Sequence, residues 1–255
     1  MERFFLRVAG FPSRTSLRAS PMARLPRLVV PGQVHHLIQR GNNRQPVFLD
    51  DEDRRAYLAV LGEVAAANGV ALHAYALLDN EVHLLGTPRT AEGLSRMMQS
   101  LGRRFVAMFN RRHERSGTLW EGRFRAGVID GQTYLLKGMV YIETLAARRG
   151  LATGPLDGEW SSLAHHLGQR IDPLVSDHSL AWALGNTPFD RQSAYRRHVE
   201  QGLAQADVSR IEDAAAKGWG LGPDDFLLRM GEQAGRPVSP RPRGRPRKLP
   251  AKQAG

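Results

Sequence analysis

The chain has 255 residues, with 36 Lys and Arg against 25 Asp and Glu, and no cysteine. Such a length suffices for one substantial domain with extensions or for two small domains. The lack of cysteine excludes a disulfide scaffold, thiolate zinc sites and cysteine nucleophiles, and no apolar run approaches the roughly 20 residues that a membrane span needs. We therefore expect a soluble, cytoplasmic protein, whose net charge of +11 predicts a polyanionic partner.

The positive charge is concentrated at the two ends of the chain and in one internal stretch. Residues 1–28 have a net charge of +5 and residues 236–255 one of +7, whereas the 207 residues between them sum to −1. Inside that balanced body, residues 96–125 contain eight Arg and two Glu. These three stretches are the predicted contacts to the polyanion.

Apolar periodicity changes repeatedly between two and 3.6 residues along the first part of the chain. Turn clusters and helix-capping residues separate the segments. In chain order the pattern predicts a strand, a helix, two strands, a helix, a strand and a helix within residues 34–40, 50–69, 70–78, 82–87, 90–108, 119–130 and 133–148. This order is that of a ferredoxin-like α+β sandwich, in which helices pack on an antiparallel sheet.

The second predicted helix has a clear amphipathic pattern. Thr90 precedes it and is predicted to cap its N-terminus. Its apolar face follows from spacings of three and four residues and consists of Leu94, Met98, Leu101, Phe105 and Met108. We expect this face to pack on the sheet.

The pattern weakens beyond residue 160, and short helices are predicted around residues 178–184, 190–206 and 207–217. We divide the chain into an N-terminal extension (1–21), the α+β domain (22–165), a small helical C-terminal appendage (166–231) and a basic tail expected to be disordered (232–255). The Arg- and Ser-rich extension superficially resembles an organellar transit peptide. We prefer the interpretation that Met22 is the true start.

One segment carries a candidate metal site. Glu81 and His83 lie two residues apart on a predicted strand, so both side chains project from one face. A carboxylate and an imidazole in this arrangement can hold a divalent ion such as Mg²⁺ or Mn²⁺. A hydrogen-bonded sheet surface is the commoner explanation for such a pair.

Five blocks in order make the chain resemble the REP-associated tyrosine transposases, a branch of the HUH single-strand transposases and nucleases. The blocks are PGQVHHLIQRGNNR (31–44), DNEVHLLGTP (79–88), FNRRH (109–113), SGTLWEGRF (116–124) and YIE (141–143). The resemblance covers roughly residues 22–165, and it implies a ferredoxin-like HUH domain.

The resemblance also implies a reaction. In that family two histidines flanking a hydrophobic residue bind a divalent metal that polarises a phosphate of single-stranded DNA, and a helical tyrosine attacks it. The products are a 5′-phosphotyrosine and a free 3′-hydroxyl, so the strand can be rejoined. Carried over to this chain, Glu81 and His83 occupy the metal positions and Tyr141 that of the nucleophile. Without the resemblance, Tyr141 would be a core aromatic, as would Tyr134 on nearly the same helix face.

The chain departs from the family pattern at two expected metal ligands. Glu81 replaces the first histidine, and Leu145 stands one turn after the tyrosine, where relatives have a polar residue. Glu143 points away from the face of Tyr141. Two alternatives to strand cleavage therefore stay open: a hairpin-binding module or regulator without catalysis, and an RNA-binding regulator that uses the same sheet.

Three further histidines lie on predicted strands. His35 and His36 are adjacent, so alternation sends one to each face and at most one lines the site. A sheet surface or a DNA contact is the favoured role for either. His73 is expected to be structural.

Arginines and aromatic residues alternate in residues 96–125, a composition that suits nucleic acid, because guanidinium groups bind phosphates and aromatic rings stack on unpaired bases. A solvated basic helix is the alternative, and Phe105 is expected in the core. The predicted DNA-binding residues of this stretch and of the first family block are Arg40, Arg44, Arg103, Arg104, Arg111, Arg112, Trp120, Arg123 and Arg125.

The tail sequence RPRGRPRK (241–248) closely resembles an AT-hook, which lies in the narrow minor groove of A·T-rich duplexes. Gly244 would let the backbone approach the groove floor, and Arg243 and Arg245 would meet its negative potential. A generic basic tail is the alternative. We expect a nucleoid-associated protein whose partner is DNA, with no membrane contact, and the sequence is compatible with a monomer or a homodimer.

Overall fold

The computed structural model describes residues 28–240. The predicted extension (1–21) and the AT-hook-like residues Arg243 and Arg245 lie outside these residues. None of the helices within residues 28–240 has the length and apolarity to traverse a bilayer. The strands are β1 (Val34–Arg40), β2 (Val70–Leu78), β3 (Glu81–Pro88) and β4 (Arg125–Ile129), and the helices are α1 (Asp51–Ala67), α2 (Gly93–Arg112), α3 (Gly131–Glu143), α4 (Leu145–Arg148), α5 (Leu163–His166), α6 (Ser179–Trp182), α7 (Pro188–Gln201), α8 (Gln205–Lys217) and α9 (Asp224–Ala234).

The four strands form one antiparallel sheet in the order β2-β3-β1-β4. With α1 and α2 joining the strands in sequence, this confirms the predicted ferredoxin-like α+β fold. In the register of β1 with β3, Arg40 lies opposite Glu81 and Ile38 opposite His83. The register thus brings together, at one end of the sheet, residues that are separated by 41 to 45 positions in the sequence.

Local sequence signals explain where the first helix begins. They also explain why the second helix does not begin at the predicted cap. The Asp50 side chain accepts a hydrogen bond from the Asp53 backbone N–H and caps α1, whose first turn is acidic. Thr90, in contrast, is not the cap of α2. The helix starts at Gly93, and Thr90 accepts the Gly93 N–H with its backbone carbonyl in a preceding turn.

The two faces of the sheet bury different cores. On one face α1 and α2 pack against the strands, and the buried residues of α2 include Phe109, whereas Met108, expected on that face, is only partly buried. On the other face lies α3 with its buried side chains Tyr134, Met139 and Tyr141. The site that the sequence predicts belongs to this second face.

The C-terminal helices complete the second core. Leu163, Tyr195 and Ile211 are buried in the same cluster as the α3 side chains, so the expected boundary at residues 165 and 166 does not separate two cores. We expected a disordered tail from residue 232, whereas α9 extends to Ala234 and Val238 is buried. The chain is therefore packed at least six residues further than its composition predicted.

Candidate active site

Strand alternation places three polar side chains on the face of the sheet that α3 covers. His36 comes from β1, and Glu81 and His83 come from β3, while Val82 between them points into the opposite core. The ring of Tyr141, from α3, lies with its centroid 5.9 Å from that of His36 and 6.2 Å from that of His83. Thus the predicted nucleophile and the predicted metal motif meet.

His36 takes part in this cluster, and His35 does not. The Nε2 atom of His36 lies 3.0 Å from Nδ1 of His83. His35 faces the other way, where its ring accepts the Val30 N–H and bonds the Gln33 carbonyl. One histidine on each face is what alternation predicted. His73 bonds the Ser176 carbonyl and the Thr87 hydroxyl, which is a structural role.

Glu81 is held by two arginines. Its carboxylate accepts from Nε of Arg40 at 2.9 Å and from Arg149 at 3.3 Å. His83 Nε2 lies 3.6 Å from the same carboxylate, beyond hydrogen-bond range. Burial raises the pKa of Glu81, but the neighbouring His83 and Arg40 outweigh it and lower the value to about 2. The carboxylate is therefore ionised and already charge-balanced.

The donor atoms at this place fit a hard divalent ion in type. His83 Nε2 is buried and has no hydrogen-bond partner within residues 28–240, and it faces a Glu81 oxygen 3.6 Å away. An imidazole nitrogen beside a carboxylate oxygen suits Mn²⁺ or Mg²⁺. Leu145, one turn beyond Tyr141, is 1% exposed and packs in the second core, so it supplies no ligand. The protein itself thus offers two ligands here.

Tyr141 is 1% exposed and covered by two charged side chains. Its hydroxyl donates to a Glu212 oxygen of α8 at 3.3 Å, and the Arg148 guanidinium lies 4.5 Å from the ring centroid. Burial, with the charge of Glu212, raises the pKa of Tyr141, and Arg148 opposes that rise. The phenol is therefore neutral, and Glu212 is an acceptor for its proton.

Glu143 points away from Tyr141, as its position on the helix predicted, and has a partner set that the sequence did not reveal. Its buried carboxylate accepts from Ser162, from the Tyr195 hydroxyl at 2.6 Å and from His166 Nδ1 at 2.6 Å. Ser162 directly precedes α5, His166 is in α5 and Tyr195 is in α7. All three lie far along the chain from Glu143. Only the packing of the C-terminal helices could show this role.

The predicted DNA-binding arginines fall into two groups. Arg112 is bound by Asp50, Glu52 and Asp53 of the α1 N-terminus, and Arg104 is paired with Glu63. These two serve contacts between α1 and α2. The other arginines predicted within residues 28–240 are exposed or partly exposed; Arg40 pairs with Glu81, and for five no ion pair exists within the described part of the chain: Arg44, Arg103, Arg111, Arg123 and Arg125.

Trp120 does not offer a stacking surface. It is 6% exposed and its ring contacts Tyr57 and Phe105 in the first core, where Phe124 is buried as well. The sequence predicted Trp120 as a DNA contact, but its side chain points into the core. Phe105 is in the core, as expected. In this conformation the aromatic residues of the arginine-rich stretch support the fold.

A depression of about 270 Å³ opens beside Glu81. Arg40, Arg44 and Arg149 line it, with Asn80 and Leu151. Arg148 and Arg149 were not among the predicted site residues, although they follow Tyr141 by seven and eight residues, about two helical turns. That spacing is the signal that could have found them.

The fold and this tyrosine–histidine cluster are those expected of a single-strand transposase domain. Residues 30–144 match the family model of IS200-like transposases. This confirms the family assignment made from the sequence blocks. A comparison with curated proteins gives no match.

Two solved structures are similar. One is a REP-associated tyrosine transposase bound to a REP hairpin, 17% identical, with a TM-score of 0.48, covering 62% of this chain and 96% of the other. Another, described as a transposase from Deinococcus radiodurans, is 22% identical, with a TM-score of 0.34, and the match covers 46% of this chain and 93% of the other.

Proposed function

We propose that the protein acts on single-stranded DNA hairpins by tyrosine-mediated strand cleavage and rejoining, with Tyr141 as the nucleophile. The observation that carries this proposal is the position of the Tyr141 ring against His36 and His83, beside Glu81 and the arginine-lined depression. The match of residues 30–144 to the family model of IS200-like transposases supports it. The hairpin-bound relative supports DNA as the partner, and a monomer and a homodimer are both compatible with the site.

The chemistry follows from the residues around the phenol. The Tyr141 oxygen attacks the phosphorus, the bond from phosphorus to the 3′-oxygen breaks, and that oxygen takes a proton from water and leaves as a hydroxyl. Glu212 accepts the phenolic proton, since it already accepts the hydrogen bond. Glu81 and His83 would hold a divalent ion, which polarises the scissile phosphate when bound. Arg44 and Arg149 bind the strand backbone at the mouth.

Tyr141 must be uncovered before it reacts. At 1% exposure its hydroxyl cannot meet a phosphate while α8 and Arg148 lie over it. DNA that enters the depression meets Arg149, which lines it. A phosphate that reaches the neighbouring Arg148 draws its guanidinium from the Tyr141 ring, because a phosphate is a stronger partner for a guanidinium than an aromatic face. We therefore expect strand binding to precede exposure of the tyrosine.

A second candidate function is hairpin binding without cleavage. Its specific support is that Arg40 and Arg149 already balance the Glu81 carboxylate, and that Leu145 supplies no ligand. An anionic ligand that is paired with arginines also leaves less positive charge for a phosphate.

A covalent-adduct assay separates the two functions. The protein is mixed with labelled single-stranded hairpin oligonucleotides in Mg²⁺ or Mn²⁺ and run on a denaturing gel. A band that resists SDS and vanishes in Tyr141→Phe establishes cleavage. Tyr134→Phe is the matched control, since it removes a hydroxyl two turns earlier on the same helix that contacts Arg210. Hairpin binding with no band in any variant would establish the second function instead.

A further inference from the structure

A second cavity lies on the opposite side of α3 from Tyr141. Its volume is about 470 Å³, a size typical of small-molecule sites. The cavity walls come from α5, α6, α7 and the segments that join them. Of the lining residues, only Met139 falls inside the part of the chain that matches the transposase family. The cavity is thus a feature of the added C-terminal helices.

His166 brings a buried polar group to this cavity. Its Nδ1 donates to Glu143 at 2.6 Å, and its Nε2 is buried with no hydrogen-bond partner among residues 28–240. Burial lowers the pKa of His166, but the adjacent Glu143 outweighs that effect and raises it. With Nδ1–H donating to Glu143, Nε2 is the ring nitrogen left over, and it lacks a partner whether it carries a lone pair or a proton. A buried polar atom without a partner is unfavourable, and an anionic oxygen in the cavity would accept from this nitrogen and favour its protonated form.

Two guanidinium groups and a set of apolar side chains complete the wall. Arg170 and Arg191 both line the cavity, and Asp177 is the acidic residue there. The Asp177 carboxylate lies 3.5 Å from His165 Nε2, and the two guanidinium groups outnumber this one carboxylate in the lining. Trp182 lines the same space and is 60% exposed. Positive charge beside an exposed indole face suits a ligand with an anionic group and a planar ring.

We propose that this cavity binds one nucleotide unit, with its phosphate at Arg170, Arg191 and His166 and its base against Trp182. The nucleotide is either a free mononucleotide or an unpaired nucleotide of a DNA strand, because both present the same phosphate and base. This site goes beyond the proposed function and does not depend on it, since it contains none of the residues around Tyr141.

A metal ion is the competing occupant. Ligand atoms of His165, His166 and Asp177 lie within 4.8 Å of one another. However, Nδ1 of His165 accepts the Asp172 backbone N–H at 3.1 Å, so the proton of the neutral ring is on Nε2. That nitrogen is then not available to a metal. Two ligands remain, which is fewer than a structural zinc site uses.

Equilibrium binding tests the proposal. The full chain is titrated with the four deoxynucleoside monophosphates, and with deoxynucleosides, inorganic phosphate, Zn²⁺ and a short single-stranded oligonucleotide, by Trp fluorescence and by calorimetry. We expect saturable binding of a monophosphate and at least about tenfold weaker binding in Arg170→Gln, since a charge-assisted hydrogen bond is lost. Arg197→Gln is the matched control, because it removes an exposed α7 arginine that does not line the cavity.

The results also identify the source of the nucleotide. Binding of monophosphates, unchanged in Tyr141→Phe, establishes a free nucleotide site even if no strand is ever cleaved. If only the oligonucleotide binds, and Arg170→Gln but not Arg197→Gln weakens it about tenfold, the site holds a nucleotide of the strand. The proposal is overturned if Arg170→Gln weakens neither ligand, or if Zn²⁺ alone binds and His166→Gln abolishes that binding.

Discussion

The Nε2 atom of His36 lies 3.0 Å from the Nδ1 atom of His83, so a hydrogen bond joins two imidazoles on adjacent strands beneath Tyr141. One ring must donate and the other accept. Burial lowers the pKa of both histidines, which favours a neutral pair. When His83 donates through Nδ1, the lone pair on its Nε2 faces Glu81. When His36 donates instead, the His83 proton is on Nε2, toward Glu81, so the direction of this hydrogen bond determines whether Nε2 of His83 is available to a metal.

Removing one arginine from Glu81 should strengthen divalent-ion binding. In Arg149→Gln the carboxylate keeps only Arg40, so less positive charge competes with the ion. Because Arg149 is nearly half exposed, we expect an increase in Mn²⁺ affinity of at most about fivefold. Calorimetry with Mn²⁺ measures it. Arg148→Gln is the control, since Arg148 covers the Tyr141 ring rather than Glu81. Equal affinities in all three proteins would show that Mn²⁺ does not bind at Glu81.

Replacing Glu81 by histidine should increase the yield of the Tyr141 adduct. A neutral imidazole keeps a metal ligand at this position and releases Arg40 and Arg149 to bind phosphate. Glu81→Gln is the control, because it removes the charge without supplying an imidazole. The assay is the denaturing gel with Mn²⁺. An equal yield from both variants would show that charge, and not the ligand, limits the reaction.

Adding Leu145→Asn to that variant tests the second missing ligand. Leu145 is buried in the second core, so a polar replacement should lower the free energy of unfolding by about 2–5 kcal/mol. The adduct yield of the double variant is therefore compared with that of Glu81→His at a temperature at which both proteins are folded.

The sheet was predictable from the sequence, and the contents of the site only in part. Strands β1 and β2 have the predicted bounds, because alternation and adjacent turn residues define them locally. The bond between His36 and His83 depends on how β1 pairs with β3, which no local pattern encodes. Trp120 was placed by composition on the surface, whereas long-range packing with Tyr57 buries it.

The Glu143 network should matter for stability more than for DNA binding. Its carboxylate is buried and accepts three hydrogen bonds, from Ser162, His166 and Tyr195. Glu143→Leu leaves these donors unpaired, so we expect a loss of about 3–5 kcal/mol in the free energy of unfolding. Urea unfolding measures it, with Glu200→Leu on the exposed side of α7 as the control. A change below about 1 kcal/mol in Glu143→Leu would contradict the assigned role.

The protein should lose stability in mild acid. Burial lowers the pKa of His35 to about 4, and it also lowers those of His36 and His83. Between pH 6.5 and pH 4 the unfolded chain then binds more protons than the folded one. The contribution of the neutral, buried histidines to the free energy of unfolding is complete above pH 6.5 and decreases as the pH falls toward 4. His35 alone accounts for a loss of about 3 kcal/mol in the free energy of unfolding over this pH range.

Urea unfolding at a series of pH values measures this loss. The raised pKa of His166 opposes it in part. His35→Gln should be less stable than the natural protein near neutral pH and should show a shallower decline in acid. Parallel declines in the two proteins would show that His35 does not titrate as its burial implies.

The position of a C-terminal deletion should decide which property is lost. Residues 241–255 contain six Lys and Arg, so removing them should weaken binding to A·T-rich duplex DNA and flatten its salt dependence, by about 0.9 in the log–log slope for each phosphate that the tail no longer neutralises. The fold should survive, because this deletion spares Val238. Its side chain is buried in a small cluster with Val128, Phe226 and Met230, and its carbonyl accepts the Gly220 N–H at 2.7 Å.

A deletion that starts at residue 236 should add a loss of stability. It removes Val238 and exposes the side of Phe226 and Met230 that packs in the same cluster, which costs about 1.5–3 kcal/mol. Salt titration of duplex binding and urea unfolding, applied to both truncated proteins, separate the two effects. An unchanged salt slope after removal of residues 241–255 would exclude the tail from DNA binding. Equal stability of the two truncated proteins would show that Val238 does not anchor the end of the fold.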